Sequence, residues 1–503
     1  MKQKLSREEI AKIEIGHTEV TTAQKWALSV LFLAVIAVYP VCQFCVHQPF
    51  ADWRNKGEIL ASIKAYETTI EDNSLLRKCL LAPAQRFLTR VFRTGNEKVI
   101  VGKDGWLFFS GDYEYLVNPG FLRPEILAKR AQKGVQPDPV KAITDFDRQL
   151  KARGIRLIVL PVPVKPMIYA DQLGAKQFPL QNPSFDKFKK RLEAAGATVV
   201  DLTDEFTSLR RRGVETYLKT DTHWTPAAME AAALLTARAV NVSAAKPQAR
   251  AYSQVTNLGD IAAMLKLPGC EKYFPAETVK VADYDKRPRN DGKVLLLGDS
   301  FANIYTLKAL NWGENGGFAE ALGACLGNPV DALLRNDAGA FATRQLLANE
   351  LKRGRDRLAG KAVVVYEFAI RELVNGDWKL IDLTPGKAPK SDFLKVSSPV
   401  TVTATVLNAS SVPRPNSAPY KDHVMSLHLG DIDGGGQALV YLVSMRDNVW
   451  TAAARLRTGD TVKIRLEPWA AREAEFGSWT RSEFDDDNLL LAEPLYGEIV
   501  SVK

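Results

Sequence analysis

Ser300 has the sequence setting of an exposed nucleophile. It lies in KVLLLGDSFANIY, where an apolar strand runs into Gly298, Asp299 and Ser300 and helix-compatible residues follow. A serine at such a turn is exposed at the carboxyl edge of a sheet, and the N–H groups and positive dipole of the next helix favour a developing oxyanion. Alternatively, Asp299 or Ser300 is only the cap of a helix, as these residue types often are.

His223 is the candidate general base for this serine. Of the five histidines, two flank an apolar N-terminal stretch and two lie in a β-rich C-terminal segment, which leaves His223 in the α/β part of the chain. It stands in TDTHWTPAAMEAAA, just before an Ala-rich helix, and Asp221 precedes it by two residues. At this spacing a carboxylate can hold one imidazole nitrogen while the other faces a serine. We therefore predict a triad of Ser300, His223 and Asp221; the alternative is a capping and surface loop without chemistry.

Helix-to-strand units recur between residues 142 and 368. In the first unit, Ile143, Phe146 and Leu150 have helical spacing, Gly154 ends the helix and an apolar strand follows. Strands separated by helices predict a parallel α/β sheet that helices cover on both faces. The expected strands are Leu157–Val162, Thr198–Leu202, Lys293–Leu297 and Ala362–Phe368.

The segment after residue 391 follows a different pattern. A Pro-, Gly- and Lys-rich linker containing TPGKAPKS is expected at 383–391. Short β-forming runs separated by turn clusters then continue to the C-terminus, which predicts a small all-β domain, either an OB-like barrel or a sandwich. DIDGGG within it lacks the ligand pattern of a calcium loop and is expected to be a hairpin turn. Neither a metal site nor a cofactor is predicted.

An apolar stretch near the N-terminus has the length of a membrane span. WALSVLFLAVIAVYPVCQFCV, at 26–46, contains no Asp, Glu, Lys or Arg. A cleaved signal peptide is the alternative, but the stretch exceeds a usual signal core and lacks a clear cleavage site. Lys and Arg residues before it orient the N-terminus toward the cytoplasm. The prediction is a single-pass protein of the bacterial inner membrane with its catalytic domain in the periplasm.

Charge and cysteine content limit the partners and the redox state. The net charge is +9, but the basic residues do not gather into one run with aromatic residues between them, so we predict no nucleic-acid partner. Outside the apolar stretch the chain has Cys79, Cys270 and Cys325. One disulfide and one free thiol are the simplest arrangement in an oxidising compartment. Cys79 with Cys270 is the expected pair, although the sequence does not determine the pairing.

Several motifs resemble the alginate O-acetyltransferase family of AlgJ and AlgX. The resemblance rests on DTHW, GDSF, GKDGWLF near residue 102 and GDIAAML at Gly259–Leu265, and it covers roughly residues 99–373. It implies an SGNH-hydrolase-like fold in circularly permuted order, with Asp221, His223 and Ser300 as the triad. It also implies a polysaccharide acceptor such as alginate or cellulose, and a polytopic membrane O-acyltransferase that supplies the acetyl groups.

Four residues in loops near the expected strand ends are candidates for substrate binding. Loops at the carboxyl ends of parallel strands surround α/β active sites, which favours Trp224, Tyr169, Lys165 and Arg371. Trp224 is predicted to stack on a sugar ring. Packing within the domain is the alternative for Trp224 and Tyr169, and a solvated surface charge is the alternative for Lys165 and Arg371.

The predicted function is transfer of an acetyl group, through acyl-Ser300, to hydroxyl groups of a bacterial exopolysaccharide. A polysaccharide acetylesterase with the same triad is one alternative, and a non-catalytic polysaccharide-binding scaffold of an export complex is another. The expected domains are a cytoplasmic segment (1–25), a transmembrane anchor (26–46), a helical stalk (47–98), an SGNH-like acetyltransferase domain (99–382), a linker (383–391) and an all-β domain suited to carbohydrate binding (392–503).

Overall fold

The computed structural model describes Arg7, residues 21–46 and residues 74–502, except residues 242, 268, 337–338, 387–392, 416–419, 478, 485, 487–488 and 490–491. The chain divides into two compact units, Met1–Ala84 and Gln85–Lys503. Much of the predicted N-terminal segment, stalk and linker lies outside the described residues. The second unit contains the α/β sheet, the all-β domain and the candidate site.

Two helices, Thr22–Val46 and Leu75–Phe92, precede the α/β sheet. No helix in the described part of the chain is long and apolar enough to cross a lipid bilayer. The predicted transmembrane anchor at 26–46 is therefore wrong, and so is the single-pass inner-membrane location that depended on it. The first helix starts before the apolar stretch and includes Thr22, Gln24 and Lys25.

Five parallel strands form the central sheet of the second unit. Their order across the sheet is β2-β1-β5-β3-β4. Every residue of β3 and β5 is buried, as continuous runs of Val and Leu predict for strands that are covered on both faces. The predicted parallel α/β sheet is confirmed, with β4 as a strand that the sequence did not indicate. The strands are β1 (Arg156–Val162), β2 (Thr198–Val199), β3 (Val294–Gly298), β4 (Asp331–Leu334) and β5 (Val363–Ala369).

Helices alternate with these strands along the chain. The helix before β1, Pro139–Lys151, begins where Asp138 accepts hydrogen bonds from the Val140 and Lys141 N–H groups. Its apolar residues at helical spacing are buried. The α-helices between residues 110 and 375 are Ser110–Val117, Pro124–Ala131, Pro139–Lys151, Lys165–Ile168, Phe185–Ala194, Thr203–Arg211, Pro226–Val240, Asp260–Met264, Ser300–Asn303, Phe318–Leu326, Ala342–Lys352 and Glu372–Asn375.

Two antiparallel hairpins belong to the same unit. Val99–Val101 pairs with Leu107–Phe109, and Ala251–Asn257 pairs with Glu277–Asp283. The second hairpin bears on the candidate site, because the Glu277 carboxylate accepts hydrogen bonds from the backbone N–H groups of residues 219 and 220 at 3.0 and 2.9 Å. It thereby holds the chain just before the predicted catalytic aspartate.

The C-terminal domain is a closed five-stranded barrel. Its strands follow the order β8-β12-β10-β6-β7, and pairing of β7 with β8 closes it. Only β8 and β12 pair in parallel within the barrel, which is the connectivity of an OB-type barrel rather than a sandwich. DIDGGG connects β7 to β8 and is a turn, as predicted. The strands of this domain are β6 (Val400–Ala409), β7 (His423–Gly430), β8 (Ala438–Arg446), β9 (Val449–Trp450), β10 (Thr461–Pro468), β11 (Arg481–Ser482) and β12 (Leu495–Val502).

Candidate active site

Ser300 begins a short helix directly after β3. The Asp299 side chain caps this helix, because its Oδ1 accepts a hydrogen bond from the Phe301 N–H at 2.8 Å. Gly298 lets the turn pass close to the neighbouring strand, since a Cβ at this position would lie only 2.9 Å from Glu367 Oε2. The serine is thus held at a tight strand-to-helix turn at the carboxyl end of the sheet.

Asp221 and His223 lie on a loop that folds back on itself. Tyr217 and Trp224 form an antiparallel bridge across the loop, and the Leu218 N–H donates to the His223 carbonyl oxygen at 3.2 Å. The backbone on both sides of Asp221 is therefore fixed by hydrogen bonds, so the two side chains project from a defined position.

The three predicted triad side chains form a hydrogen-bonded chain. His223 Nε2 lies 2.9 Å from Ser300 Oγ, and His223 Nδ1 lies 2.7 Å from Asp221 Oδ1. The His223 backbone N–H also donates to Asp221 Oδ1 at 3.1 Å. Asp221 and His223 are buried, whereas Ser300 is partly exposed. The nitrogen that faces Ser300 is placed to accept its hydroxyl proton.

The surroundings of Asp221 favour its charged form. Burial alone would raise the pKa of this carboxyl group, but hydrogen bonds from His223 and from Trp312 Nε1, the latter at 2.8 Å, hold the pKa below its usual value. Burial likewise opposes a charged imidazole, yet the hydrogen bond and the charge of Asp221 raise the pKa of His223 above its usual value. A negative Asp221 therefore stabilises the imidazolium that His223 becomes when it takes up a proton.

Asp260 is a second, partly buried carboxylate beside the triad. Its backbone N–H donates to Asp221 Oδ2 at 3.0 Å, and its carboxylate accepts hydrogen bonds from the Thr222 N–H and Oγ1 at 2.7 and 2.8 Å. Gly259 before it has a φ of 88°, and a Cβ there would lie 2.5 Å from the Thr220 carbonyl oxygen. Burial, followed by the charge of Asp221, raises the pKa of Asp260 to about 6. The GDIAAML motif contains Asp260, but only these contacts reveal its role in holding the loop.

Asp221, His223 and Asp260 also place potential metal-ligand atoms within 4.8 Å of one another. Both ring nitrogens of His223 already have partners within the triad, at 2.7 and 2.9 Å. A metal ion would have to replace one of these hydrogen bonds, so the donor set fits proton transfer better than metal binding. That the site needs no metal stays a prediction.

The triad opens into a cavity of about 210 Å³ that two domains line. From the α/β domain, Asn336 and Arg371 line it beside the triad. From the barrel, Tyr420 and Lys421 in the β6–β7 connection and Asn448 in the β8–β9 turn line the same cavity. The all-β domain is therefore part of the wall of the candidate active site.

The sequence matches the family described as ALGX, an SGNH hydrolase-like domain of the acetyltransferase AlgX, over residues 99–370, which is more than half of the 503 residues. The chain belongs to this family. The resemblance to AlgJ and AlgX that the DTHW and GDSF motifs indicated is confirmed, and with it the assignment of the α/β domain to an SGNH-like acetyltransferase family.

Two proteins named probable alginate O-acetylase AlgJ are similar to part of this AlgX-family chain. The one from Pseudomonas aeruginosa is 28% identical over 185 residues, which are 35% of this chain and 43% of that protein. The one from Pseudomonas fluorescens is 30% identical over 153 residues, which are 30% of this chain and 35% of that protein. The chain thus spans about two-fifths of the length of the curated relatives that it matches.

Two solved structures of AlgJ and AlgX are also similar to this chain. The O-acetyltransferase domain of Pseudomonas putida AlgJ is 25% identical, with a TM-score of 0.41, and the match covers 55% of this chain and 92% of that chain. Pseudomonas aeruginosa AlgX is 14% identical, with a TM-score of 0.39, and the match covers 75% of this chain and 93% of that chain. At these scores the similarity adds nothing to the family match.

Two aromatic residues predicted to bind substrate are packed in the interior of the AlgX-family domain. Trp224 is fully buried, and its ring meets the Phe301 ring edge-on with centroids 5.4 Å apart. Tyr169 is stacked on Trp106 at 4.0 Å, and its hydroxyl accepts a hydrogen bond from the Thr216 N–H at 2.9 Å. Neither ring is available to stack on a sugar, so the substrate-binding prediction is wrong for both. Burial of such large rings removes much apolar area from water, which explains why packing prevails.

Lys165 is a buried cation inside the domain, and not a substrate contact or a surface charge. Its Nζ donates to the carbonyl oxygens of Leu107 and Lys219 at 2.8 and 3.1 Å, and burial lowers the pKa of its ammonium group to about 8. The prediction for Lys165 is therefore wrong. Arg371 does line the cavity, although its Nη1 also contacts Asp112 Oδ1 at 2.9 Å. Its part in substrate binding stays a prediction.

The predicted disulfide between Cys79 and Cys270 is not formed. Both are free thiols, and Cys79 is exposed whereas Cys270 is buried. Cys270 Sγ donates to the Ala262 carbonyl oxygen at 3.5 Å within a small apolar cluster. Burial raises the pKa of the Cys270 thiol to about 11, so its neutral form is favoured. The pairing came from a cysteine count, which holds no information about this packing.

Glu367 supports the nucleophile turn, and the sequence patterns missed it. It is fully buried in β5, and its Oε2 accepts a hydrogen bond from the Asp299 N–H at 2.8 Å. Asp299 Oδ2 in turn accepts from the Ala369 N–H at 2.7 Å. Burial, followed by the negative charge of Asp299, raises the pKa of Glu367 well above its usual value. Burial thus favours the neutral form of Glu367, which accepts the Asp299 N–H from inside the sheet.

Replacement of Glu367 by glutamine and by alanine should have different effects. A glutamine amide keeps an acceptor for the Asp299 N–H, as Glu367 does. Alanine leaves the Asp299 N–H unpaired in a buried place, which should lower the free energy of unfolding by about 1–3 kcal/mol. Thermal and urea unfolding of the two variants will measure the difference. Equal destabilisation by glutamine and alanine would mean that Glu367 is needed as an ion.

Proposed function

We propose that this chain is an O-acetyltransferase that moves an acetyl group through acyl-Ser300 to hydroxyl groups of a uronate polysaccharide such as alginate. The observation that carries the proposal is the chain from Ser300 Oγ through His223 to Asp221, with distances of 2.9 and 2.7 Å. Membership of a family described by an acetyltransferase supports transfer. The names of the AlgJ relatives favour alginate as the acceptor. Residues 99–382 would be the transferase domain and residues 392–503 the barrel domain.

In the first half of the reaction, His223 Nε2 takes the proton of Ser300 while Oγ bonds to the acetyl carbonyl carbon of the donor. The carbonyl oxygen becomes an oxyanion, which the Ser300 N–H at the helix N-terminus and the amide of Asn336 stabilise. Asn336 lines the cavity, and its Oδ1 accepts from Asn303 Nδ2 at 2.9 Å, so its own N–H groups remain as donors on the other side. The bond to the leaving group then breaks, and His223 gives it the proton.

In the second half, a sugar hydroxyl replaces the leaving group. His223 removes the hydroxyl proton as the sugar oxygen attacks the acyl-Ser300 carbonyl carbon, and the same donors hold the second oxyanion. Collapse of this intermediate releases the sugar ester, and the proton returns from His223 to Ser300. Asp221 keeps the ring oriented and stabilises its cation in both halves.

The acceptor is proposed to enter between the α/β domain and the barrel. Tyr420 and Lys421 lie in the connection between the first two barrel strands, and OB-type barrels use this connection to bind oligosaccharides. Lys421 is exposed and can pair with a uronate carboxylate. The guanidinium group of Arg371, which also contacts Asp112, belongs to the same lining. The exposed Lys421 in the lining favours an anionic sugar polymer over a neutral one.

The acetyl donor is proposed to come from a separate protein. The resemblance to AlgJ and AlgX implies a polytopic membrane O-acyltransferase as that partner. If water replaced the sugar hydroxyl in the second half, the same triad would act as an acetylesterase, and the first experiment below separates these two outcomes.

Ser300→Ala should abolish transfer. The wild-type protein, an activated acetyl ester and an alginate oligosaccharide are expected to yield acetylated oligosaccharide, and the rate should fall by about 10⁴-fold or more in the variant. Mass spectrometry of the sugar measures transfer. In the absence of acceptor, mass spectrometry of the wild-type protein should detect one acetyl group on Ser300.

The matched control for this experiment is Ser208→Ala, which alters an exposed serine on the helix Thr203–Arg211 and should leave transfer unchanged. Release of acetate without acetylated sugar would identify an esterase. Full transfer by Ser300→Ala would contradict the proposal.

Activity should fall as the pH is lowered through the pKa of His223. The imidazole must be neutral to accept the Ser300 proton, and Asp221 raises its pKa, so the loss begins at a higher pH than for an ordinary histidine. In Asp221→Asn, burial is no longer offset by a charge, so the acidic limb should move to lower pH while the rate drops about 10³- to 10⁴-fold. Measurement of kcat/KM for the acetyl ester from about pH 4 to pH 9 tests this. An acidic limb that stays in place would exclude His223 as its origin.

Lys421→Gln should weaken binding of the acceptor without impairing acylation of Ser300. Loss of one exposed charge opposite a carboxylate should raise KM for an alginate oligosaccharide about three- to tenfold, with a smaller effect at high salt. Turnover of the activated acetyl ester without sugar should be unchanged. Lys463→Gln removes an exposed lysine of the barrel strand β10 and is the control. Equal KM values for the two variants would place the acceptor elsewhere.

A further inference from the structure

The barrel contacts the side chain of Arg335, the residue that follows β4. Arg335 is only 5% exposed, and its guanidinium donates to the carbonyl oxygen of Arg481 on β11. A second link joins Arg335 Nη1 to a carboxylate oxygen of Glu483 at 3.6 Å. Both contacts connect the α/β domain to the barrel, and both are shielded from water.

On the barrel side, these groups are themselves held firmly. Arg481 Nε and Nη2 lie 2.8 and 2.7 Å from Glu483 Oε1, and the Arg481 guanidinium stacks over the Tyr441 ring at 4.2 Å. Burial would raise the pKa of Glu483, but Arg481 and Arg335 lower it to about 2. Buried charges that are paired in this way resist rearrangement, because separation would leave a charge unpaired away from water.

On the other side, the same segment touches the nucleophile turn. The Arg335 N–H donates to the Gly298 carbonyl oxygen at 2.9 Å, two residues before Ser300. Asn336 Oδ1 accepts from Asn303 Nδ2 at 2.9 Å, within the helix that Ser300 begins, and Asn336 lines the cavity beside Ser300. One pair of adjacent residues therefore links the barrel directly to the surroundings of the nucleophile.

We propose that the barrel promotes acylation of Ser300 by holding Arg335, which places the Asn336 amide against the developing oxyanion. We call the contact of Arg335 with Arg481 and Glu483 the latch. Arg335 and Glu483 are positioning residues in this view. The barrel is then required for chemistry on donors that carry no sugar at all, in addition to any contact with the acceptor. This inference rests on the proposed function, because it needs acylation of Ser300.

Glu483→Gln and Arg335→Gln test the latch. With a small activated acetyl ester and no acceptor, each should lower kcat by about 10- to 100-fold through misplacement of a donor, with KM within about twofold of the wild-type value. The control is Glu493→Gln, which removes an exposed ion pair between Arg355 and Glu493, also across the two domains but outside the cavity lining. It should leave kcat unchanged.

A double-mutant cycle separates positioning from loss of stability. If the latch acts through Asn336, Arg335→Gln should slow Asn336→Ala little further, whereas two independent effects would multiply. Circular dichroism will show whether Arg335→Gln folds. If it does not, Glu483→Gln serves as the test, because it keeps the hydrogen bond from Arg335 to the Arg481 carbonyl oxygen.

The latch is wrong if Glu483→Gln matches Glu493→Gln in kcat, or if the effects of Arg335→Gln and Asn336→Ala multiply. A Ser300→Ala protein that still turns over the ester would instead contradict the proposed function, since turnover would not pass through Ser300. The two failures are therefore distinguishable in one set of assays.

Discussion

The hydrogen bond between the Asp221 carboxylate and the His223 ring orients that ring. The other polar contacts of the site are arranged around it. The hydrogen bond leaves Nε2 facing Ser300 Oγ at 2.9 Å, and it makes a protonated ring tolerable in a buried place. Asp221 can serve this purpose because Trp312 and the backbone of Asp260 donate to its other oxygen. Without these donors, burial would favour a neutral carboxyl group, and the ring would lose both its orientation and its counter-charge.

Several buried charged groups around the site have a charged or hydrogen-bonding partner. Asp221 faces His223, Arg371 faces Asp112, and Glu367, whose pKa burial raises, accepts a hydrogen bond from the Asp299 N–H. Unpaired charges in such places would cost several kcal/mol each. The pairs therefore fix side chains as well as satisfy them, and the nucleophile turn rests on the hydrogen bond from the Asp299 N–H to the Glu367 carboxyl group.

The barrel and the α/β domain share the cavity. Loops of the barrel supply one wall, while Arg335 reaches into the barrel from a segment that also contacts the nucleophile turn. A domain joined only by a linker could be replaced without effect on the chemistry. Here the contacts of Arg335 are buried and charged, so the position of one domain affects the electrostatic surroundings of the other.

The sequence by itself determined the parallel sheet, the all-β domain and the three residues of the triad, because each depends on local patterns. Apolar runs between helical spacings specify buried parallel strands, a strand that meets Gly-Asp-Ser specifies a turn, and the DTH spacing brings a carboxylate to one ring nitrogen. Such signals lie within a few residues of one another.

The tertiary structure alone decided which remaining polar and aromatic groups reach the cavity. Trp224, Tyr169 and Lys165 have loop positions that suit a binding site, yet packing buries all three. The surroundings of the triad come from distant positions in the chain: Asp260, Glu367 and the barrel loops. Arg335 likewise reaches from the α/β domain into the barrel. No local pattern encodes these contacts, because they depend on how separately formed elements fill space against each other. The same reason applies to Cys270. Its buried surroundings, which the count of cysteines does not describe, hold it as a free thiol.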